Sequence, residues 1–365
     1  MAAMGTGQDM LEIWRAGGAN FGATATEAQA IEAQGWHGQM FMDSQCLSAD
    51  PYAQMGVWAT ATERLWLSTG VTNPLTRNLA VTTGAAVTVQ AITGGRAVLG
   101  IGRGDSAHAY LGHAPVGTRQ FERALVHLQT LLSGGEIPFD DYGPSGDAPP
   151  LDALHMGERP QAVRLNWLPE HLPKVPLDVA ATGPKVIAMG ARLAERVTFS
   201  VGASRDRLGW ALGEARAAQG ARRVSYGAQI VVVCDTDAEA AMDAAMKIAP
   251  PLARFQVIEG KQVGPQDAEA ARNLDAVSKG YDMTRHSDMS AADRIAGGSL
   301  SQDFVRNFAV VGDPDQVTAH LLDLVAMGLE RFVVVGPGLF PGERSARQDA
   351  LFTREVMPVL RKSVA

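Results

Sequence analysis

The sequence predicts a (β/α)8 barrel, and three observations lead to this fold class. From Leu11 onward, short β-type runs alternate with stretches of helical period, which is the pattern of βα units around a parallel sheet. Eight such units follow one another, which favours a closed barrel. An open doubly wound sheet remains the alternative, because one sequence does not give the order of the strands. With 365 residues and 46% hydrophobic content, the chain can bury a large core in one domain.

The first four units are short apolar runs, each followed by a helical stretch. The runs are LEIWRAGG, HGQMFMDSQ, LWLSTGVTNP and RAVLGIGRGD, and the predicted helices cover about 25–34, 51–62, 79–92 and 117–133. In the fourth helix, apolar residues recur at helical spacing: Phe121, Leu125, Leu128 and Leu132. Residues 134–173 are then rich in Pro, Gly and Asp without a sustained period, which predicts an insertion.

The last four units resume the alternation with the runs LDVAATGP, RVTFSVGA, AQIVVVCD and RFVVVGPG. Five helices are predicted in this half: one over 185–195, one that ends at Leu212, and an Ala-rich one that begins near Ala238. The fourth covers GDPDQVTAHLLDLVAMG, with a Pro just inside its start, and the fifth is the tail that ends at Leu360. Residues 251–307 are interpreted as a second irregular, polar insertion. Neither insertion has enough periodic apolar structure for a domain of its own, so a single domain over 1–365 is expected. The insertions are interpretable as lids over the site or as simple surface insertions, and their length favours lids.

Charge and cysteine content argue against several classes of protein. The net charge of -7, without a dense run of Lys and Arg, argues against nucleic-acid binding and favours a small-molecule ligand. Cys46 and Cys234 form no CxxC pair or Cys/His array, so neither a disulfide framework nor a metal site is expected. The start MAAMGTGQDM does not resemble a signal peptide, and no apolar run is long enough to span a bilayer. We therefore expect a soluble, cytoplasmic protein.

Small and polar residues follow four consecutive predicted strands, at the carboxyl ends where barrels carry their reactive face. They are Asp43, Ser44 and Gln45; Gly70, Val71, Thr72 and Asn73; Gly102, Arg103, Gly104, Asp105 and Ser106; and Ala181, Thr182, Gly183, Pro184 and Lys185. The turn AATGPK opens a helix and can bind an anion, or Thr182 can simply cap that helix. The guanidinium of Arg103 can bind a phosphate or form an ion pair with Asp105. GIGRGDS matches neither a Walker loop nor a dinucleotide fingerprint, so a mononucleotide-like phosphate is expected.

Taken together, the motifs TGVTNPLTRN, ITGGRAVLGIGRGDS, AATGPK and VGDPDQV...VVVGPG resemble the luciferase-like family of flavin and deazaflavin oxidoreductases, over about residues 11–360. They look most like the branch that contains methylenetetrahydromethanopterin reductase, which uses coenzyme F420. The resemblance implies a cis peptide bond at Gly70-Val71 that supports one face of the tricyclic ring. It also implies a phosphate site made by Arg103, Thr182 and Gly183. TGVTNP and AATGPK favour F420, whereas Arg103 favours FMN.

The resemblance implies an F420-dependent oxidoreductase that transfers hydride between the reduced deazaflavin and a small organic substrate. Two alternatives remain: an FMN-dependent monooxygenase that uses a peroxyflavin, and a barrel that binds a flavin without catalysis. Asp43 and His108 are the candidates for acid–base catalysis, because both follow barrel strands, although His108 is also interpretable as a hydrogen-bonded structural residue. His37, at the start of its strand, is assigned no role. A homodimer is expected, with the helices near strands two and three at the interface.

Overall fold

Eleven strands are present in the computed structural model, which describes residues 11–22, 24–143, 148–286, 288, 295, 300–339 and 341–364. They are β1 (Glu12–Gly18), β2 (Gly38–Met42), β3 (Trp66–Thr69), β4 (Ala97–Ile101), β5 (Ile137–Pro138), β6 (Ala162–Val163), β7 (Leu177–Ala181), β8 (Arg196–Phe199), β9 (Ser225–Cys234), β10 (Val310–Gly312) and β11 (Arg331–Val335). Eight pair in parallel in the order β1-β2-β3-β4-β7-β8-β9-β11, and β11 pairs with β1 to close the barrel. The predicted (β/α)8 fold is confirmed.

Helices connect the strands and cover the outside of the barrel. They are α1 (Ala25–Ala33), α2 (Pro51–Ala61), α3 (Leu79–Thr93), α4 (Ser106–Ala109), α5 (Thr118–Leu132), α6 (Phe139–Tyr142), α7 (Pro184–Leu193), α8 (Arg205–Ala218), α9 (Ala238–Ala253), α10 (Ala268–Gly280), α11 (Gln302–Phe308), α12 (Pro314–Ala326), α13 (Glu343–Leu351) and α14 (Met357–Val364). A π-helical stretch, Phe352–Val356, joins the last two. Short 3-10 helices lie at Leu151–Leu154, Arg254–Gly260, Met283–Arg285 and Pro337–Leu339.

Local sequence explains where several helices begin. Asp50 accepts hydrogen bonds from the backbone N–H groups of Tyr52 and Ala53, so it caps α2, with Pro51 as its first residue. Asp313 and Gln316 form a reciprocal capping box at the start of α12, again followed by a proline. These caps fix where the chain turns from loop to helix.

The prediction of an irregular segment over 251–307 is wrong in its description of local structure. Helices α10 and α11 lie within it, and β10, which pairs with β9, follows directly. In α10 only Leu274 and Val277 are buried, so the apolar stripe is too thin to stand out from its polar surroundings. The other predicted insertion, 134–173, contains the antiparallel β5–β6 pair and α6. Residues 144–147 and most of 287–299 lie outside the described residues, as does MAAMGTGQDM, and the single domain stays a prediction.

Charged side chains fill the amino-terminal end of the barrel interior. Arg196 on β8 forms an ion pair with Glu12 on β1, and these strands are separated in the sheet by β9 and β11, so the contact crosses the interior. Arg331 pairs with Asp178 at 3.2 Å. Burial alone would raise the pKa of Glu12, but attraction to Arg196, His37 and Arg331 lowers that pKa to about 2. This layer closes the end of the barrel opposite the expected reactive face.

No helix in the described part of the chain is long and apolar enough to cross a membrane.

Candidate cofactor and active site

The loop after β3 carries an unusual backbone feature, a cis peptide bond between Gly70 and Val71. The cis bond implied by the family resemblance is therefore confirmed. The loop is tied to both neighbouring strands, because the N–H of Gly70 donates to Phe41 O at 2.6 Å and the N–H of Thr72 donates to Gly100 O at 2.9 Å. Gly70 and Val71 are half-buried, whereas Thr72 and Asn73 are buried. The accessible part of the motif is therefore at Gly70 and Val71.

Small residues are required around this loop. A Cβ on Gly70 would lie 2.6 Å from Met40 Cβ, and a Cβ on Gly102 would lie 2.9 Å from Val71 Cγ2. Both separations are below any ordinary contact between carbon atoms. The glycines therefore let the ends of β2, β3 and β4 approach one another.

Asp43, at the end of β2, is buried and has partners at both carboxylate oxygens. Its Oδ2 accepts a hydrogen bond from Thr72 Oγ1 at 2.7 Å and forms an ion pair with Arg77, while its Oδ1 accepts from Gln45 Nε2 at 2.8 Å. The same Arg77 also pairs with Asp50 at 2.6 Å. Burial opposes the charge of Arg77, but the two carboxylates raise its pKa. Asp43 thereby holds the loops after β2 and β3 together, and its role in catalysis stays a prediction.

Sequence reasoning missed Arg77, although it lies within the motif TGVTNPLTRN. Its position four residues after Asn73 in a loop gave no indication of a partner. A signal existed only in the two acidic residues of the preceding βα unit, Asp43 and Asp50, which adjacent strands bring to the same end of the barrel.

His108 is completely buried in α4 and is bracketed by two oxygen atoms. Its Nδ1 lies 3.2 Å from Ala114 O, and its Nε2 lies 2.8 Å from Asn73 Oδ1. A neutral imidazole can donate to one of these oxygens at a time. Burial lowers the pKa of His108, which favours the neutral form. In this structure the ring supports Asn73 and the loop after β3, and a direct catalytic role stays a prediction.

Asn73 fixes the same loop from within. Its Oδ1 accepts hydrogen bonds from the backbone N–H groups of Leu75 and Thr76, both at 3.0 Å. Its Nδ2 is buried and has no hydrogen-bond partner among the residues that the structure describes. A buried amide without a partner is uncommon, so this donor is a group that a bound ligand can satisfy.

The loop after β4 is joined to the segment that follows α9 by two ion pairs. Arg103 donates from Nη2 to Glu259 Oε1 at 2.6 Å and from Nε to Val116 O at 2.6 Å. Asp105 forms an ion pair with Arg254. The alternative in which Arg103 forms an ion pair with Asp105 is therefore wrong, because each has a partner from the later segment. Tyr110 adds a hydrogen bond from its hydroxyl to Met283 O at 2.7 Å, so this segment lies against the reactive face.

Helix α7 begins without a side-chain cap. Its N-cap residue is Gly183, which has no side chain to offer, and Thr182 Oγ1 instead lies 3.5 Å from Ser200 O. The alternative in which Thr182 caps the helix is therefore wrong. Ala181 is buried, whereas Pro184 and the basic residue Lys185 are exposed. Among the described residues, the first-turn amides thus have no side-chain acceptor and are available to an anion.

The predicted site residues fall into two groups in the structure. Side-chain contacts connect the ends of β2, β3 and β4 through Asp43, Thr72, Asn73 and His108. The turn 181–185 lies two barrel strands from β3 and is tied to the end of β8. Within the described ranges no hydrogen bond joins Arg103 to this turn, because its guanidinium contacts Val116 and Glu259.

Comparison with known proteins gives one family match and several relatives. A family model described as luciferase-like monooxygenase matches residues 5–331. The chain is 25% identical over 330 residues to the 5,10-methylenetetrahydromethanopterin reductase of Methanolobus tindarius, covering 87% of this chain and 91% of that protein.

Two solved structures have the same fold at lower identity. The coenzyme F420-dependent tetrahydromethanopterin reductase from Methanopyrus kandleri superimposes with a TM-score of 0.70 at 19% identity, over 96% of this chain and 99% of that chain. The monooxygenase RslO1 from Streptomyces bottropensis gives 0.62 at 17% identity, over 92% of each chain.

Proposed function

Because the chain belongs to the luciferase-like monooxygenase family, we propose that it is an F420-dependent oxidoreductase acting on a small organic substrate. The observation that carries the proposal is the arrangement at the carboxyl ends of the strands. There the half-buried Gly70-Val71 backbone and the uncapped start of α7 lie on one face of the barrel. The first suits a flat ring system, and the second suits a phosphate. The description of the M. kandleri reductase as F420 dependent supports this choice of cofactor.

The residues present fit such a cofactor. The first-turn amides of α7 and the exposed Lys185 would hold the phosphate, because both favour negative charge. The Gly70-Val71 backbone would support the ring, and Asn73 Nδ2 is a buried donor still lacking an acceptor among the described residues. When bound, the deazaflavin supplies or accepts the hydride. Asp43 acts here as a positioning residue, since its carboxylate fixes Thr72 and Arg77 behind the ring support.

An FMN-dependent monooxygenase is the second candidate, and one observation favours it. Arg103 lies directly after β4, and its partner Glu259 has a half-exposed side chain, so a phosphate could replace that carboxylate. Arg103 would then bind a phosphate through a planar pair of donors. In the F420 proposal Arg103 keeps its bond to Glu259.

We further propose that the protein works as a homodimer through the outer faces of α2 and α3. Neither helix contains a charged residue, although both lie on the outside of the barrel. Large apolar side chains are exposed there: Val57, Val81 and Ile92. An uncharged apolar face of this kind is typical of a subunit interface.

Parallel titration with F420 and FMN, followed by absorption spectroscopy, tests the proposed function. We expect F420 to bind more tightly, and turnover with F420 to follow. If Arg103 holds the phosphate, Arg103→Ala weakens binding by about 2–3 kcal/mol, and Arg103→Lys recovers part of that loss. The dephosphorylated cofactor is the control, because a lost phosphate contact leaves its affinity unchanged. Failure of both cofactors to bind would refute the oxidoreductase proposal in both its forms.

A further inference from the structure

A surface groove with a volume of about 360 Å³ lies on the outer side of the loop after β3. Its walls are Pro74, Leu75, Arg77 and Asn78 of that loop, the first residue of α3, one face of α5, and the end of α6; we call it the α3–α5 groove. Two arginines and a histidine line it, namely Arg77, Arg123 and His127, and none of the lining residues that the structure describes is acidic. Because Arg77 already pairs with Asp43 and Asp50, Arg123 is the cation of the groove that can bind an anion.

His127 is the buried polar group of the groove. Its exposed fraction is 8%, and it makes no hydrogen bond with any other described residue. Its contact is a stacked arrangement with the Tyr142 ring, with the ring centres 5.7 Å apart. Its ring nitrogens remain accessible from the groove, so the imidazole can form a hydrogen bond with a group bound there.

Arg123 lies one helical turn before His127, on the same face of α5. Arg123 is exposed, and in the ranges that the structure describes its guanidinium has neither an ion pair nor a hydrogen bond. Burial, and then the nearby charge of Arg123, lower the pKa of His127, and the nearby carboxylate of Asp141 opposes this shift. A cation and a hydrogen-bonding imidazole therefore stand side by side without an acceptor from the described part of the chain.

The amino end of α3 is already satisfied and does not explain the groove. Tyr142 donates from its hydroxyl to Asn78 Oδ1 at 2.5 Å and accepts a hydrogen bond from the N–H of Ala80 at 3.0 Å. This arrangement holds the Tyr142 ring against His127 and leaves the basic side chains of α5 free. The recognition groups of the groove are thus side chains and not a helix terminus.

We propose that the α3–α5 groove is a second binding site, for a small oxyanion: a carboxylate or phosphate group carried on a compact, partly apolar molecule. Arg123 and His127 would hold the anionic group. Pro74, Leu75 and Leu79 supply an apolar wall, and Leu75 is 45% exposed. The site does not depend on which cofactor the barrel binds.

Arg77 connects the groove to the candidate active site. One of its guanidinium nitrogens pairs with Asp43 and another with Asp50, while its side chain also lines the groove. An anion near this guanidinium competes with Asp43 for it. Occupancy of the groove is therefore transmitted to the loops after β2 and β3.

NMR titration of the full-length protein tests the proposal, with the His127 imidazole resonance, assigned from His127→Gln, as the local reporter. The probes are inorganic phosphate and succinate, which separate a preference for phosphate from one for carboxylate. We expect a saturable shift of the His127 resonance with at least one probe, and roughly tenfold weaker binding in Arg123→Gln. Arg119→Gln is the matched control, because this exposed arginine lies one turn earlier on α5 and does not line the groove.

Two results would overturn the proposal. One is a His127 resonance that does not move with either probe up to tens of millimolar, a range in which even weak sites fill. The other is an equal response in the wild type, Arg123→Gln and Arg119→Gln. Binding of phosphate at Arg103 or α7 does not confuse the test, because the reporter lies in the groove itself.

Discussion

Replacement of Gly104 by alanine tests how tightly the loop after β4 is built over His108. Gly104 has a φ of +79°, and a Cβ there would lie 2.4 Å from His108 Nε2 and 2.5 Å from its Cε1. The ring cannot retreat freely, because Asn73 and Ala114 hold its two nitrogens. We expect Gly104→Ala to push the loop outward and break the bond between His108 and Asn73.

The magnitude follows from two separate costs. A non-glycine residue in the left-handed region costs roughly 1–2 kcal/mol, and an overpacked side chain adds roughly 1–3 kcal/mol. Gly112 is a matched control, since it also has a φ of +79° but a Cβ there would meet no described atom within 4 Å. Gly112→Ala therefore carries only the backbone cost. The free energy of unfolding should fall by roughly 2–5 kcal/mol in Gly104→Ala and roughly 1–2 kcal/mol in Gly112→Ala.

Urea denaturation of both variants measures the difference, and cofactor titration shows whether the displaced loop also weakens binding. The double variant Gly104→Ala/His108→Ala should recover part of the lost stability, because the clashing ring is gone. Equal destabilisation by Gly104→Ala and Gly112→Ala would refute the reasoning, since it would mean that His108 does not lie beneath this glycine.

Two further expectations concern the closed end of the barrel and its outer surface. Because the pKa of Glu12 is lowered from 4.5 to about 2, its contribution of about 3 kcal/mol is present above pH 4.5 and is lost as the pH falls toward 2. Glu12→Gln should therefore lower the free energy of unfolding, measured in urea, at pH 7 and lower it much less near pH 2. The control Glu343→Gln, at an exposed residue, should have little effect at either pH. A decrease for Glu12→Gln that does not depend on pH would contradict this. Val81 on α3 is 59% exposed, and Val81→Lys should shift the protein toward the monomer in analytical ultracentrifugation. The control Val359→Lys, at a residue 45% exposed on α14, should leave the oligomeric state unchanged. An oligomer that is unchanged in both variants would contradict the proposed interface.

The strands and most helices were predictable from the sequence because their signals are local. An apolar run such as AVLGI predicts a buried strand, and the pair Asp313-Pro314 predicts the start of α12. Helix α10 was not predictable, because it buries only Leu274 and Val277 and presents an otherwise polar surface.

The candidate site was predictable only in part. The loops that form it were placed correctly, since βα loops gather at one end of a barrel. Its pairings were not, because the partners of Arg103 and Asp105 lie about 150 residues away along the chain. His127 was overlooked for a different reason, because on α5 it looks like an ordinary surface position until Tyr142 of α6 stacks against it.

The two ion pairs between the loop after β4 and the segment after α9 have opposite polarity. The loop contributes a cation at Arg103 and an anion at Asp105, while the segment contributes the anion Glu259 and the cation Arg254. If the segment docked in the reverse direction, Arg254 would face Arg103 and Glu259 would face Asp105, so both contacts would become repulsive. Like charges at such distances cost free energy even near a protein surface. The alternation of sign thus favours the direction in which the segment crosses the barrel.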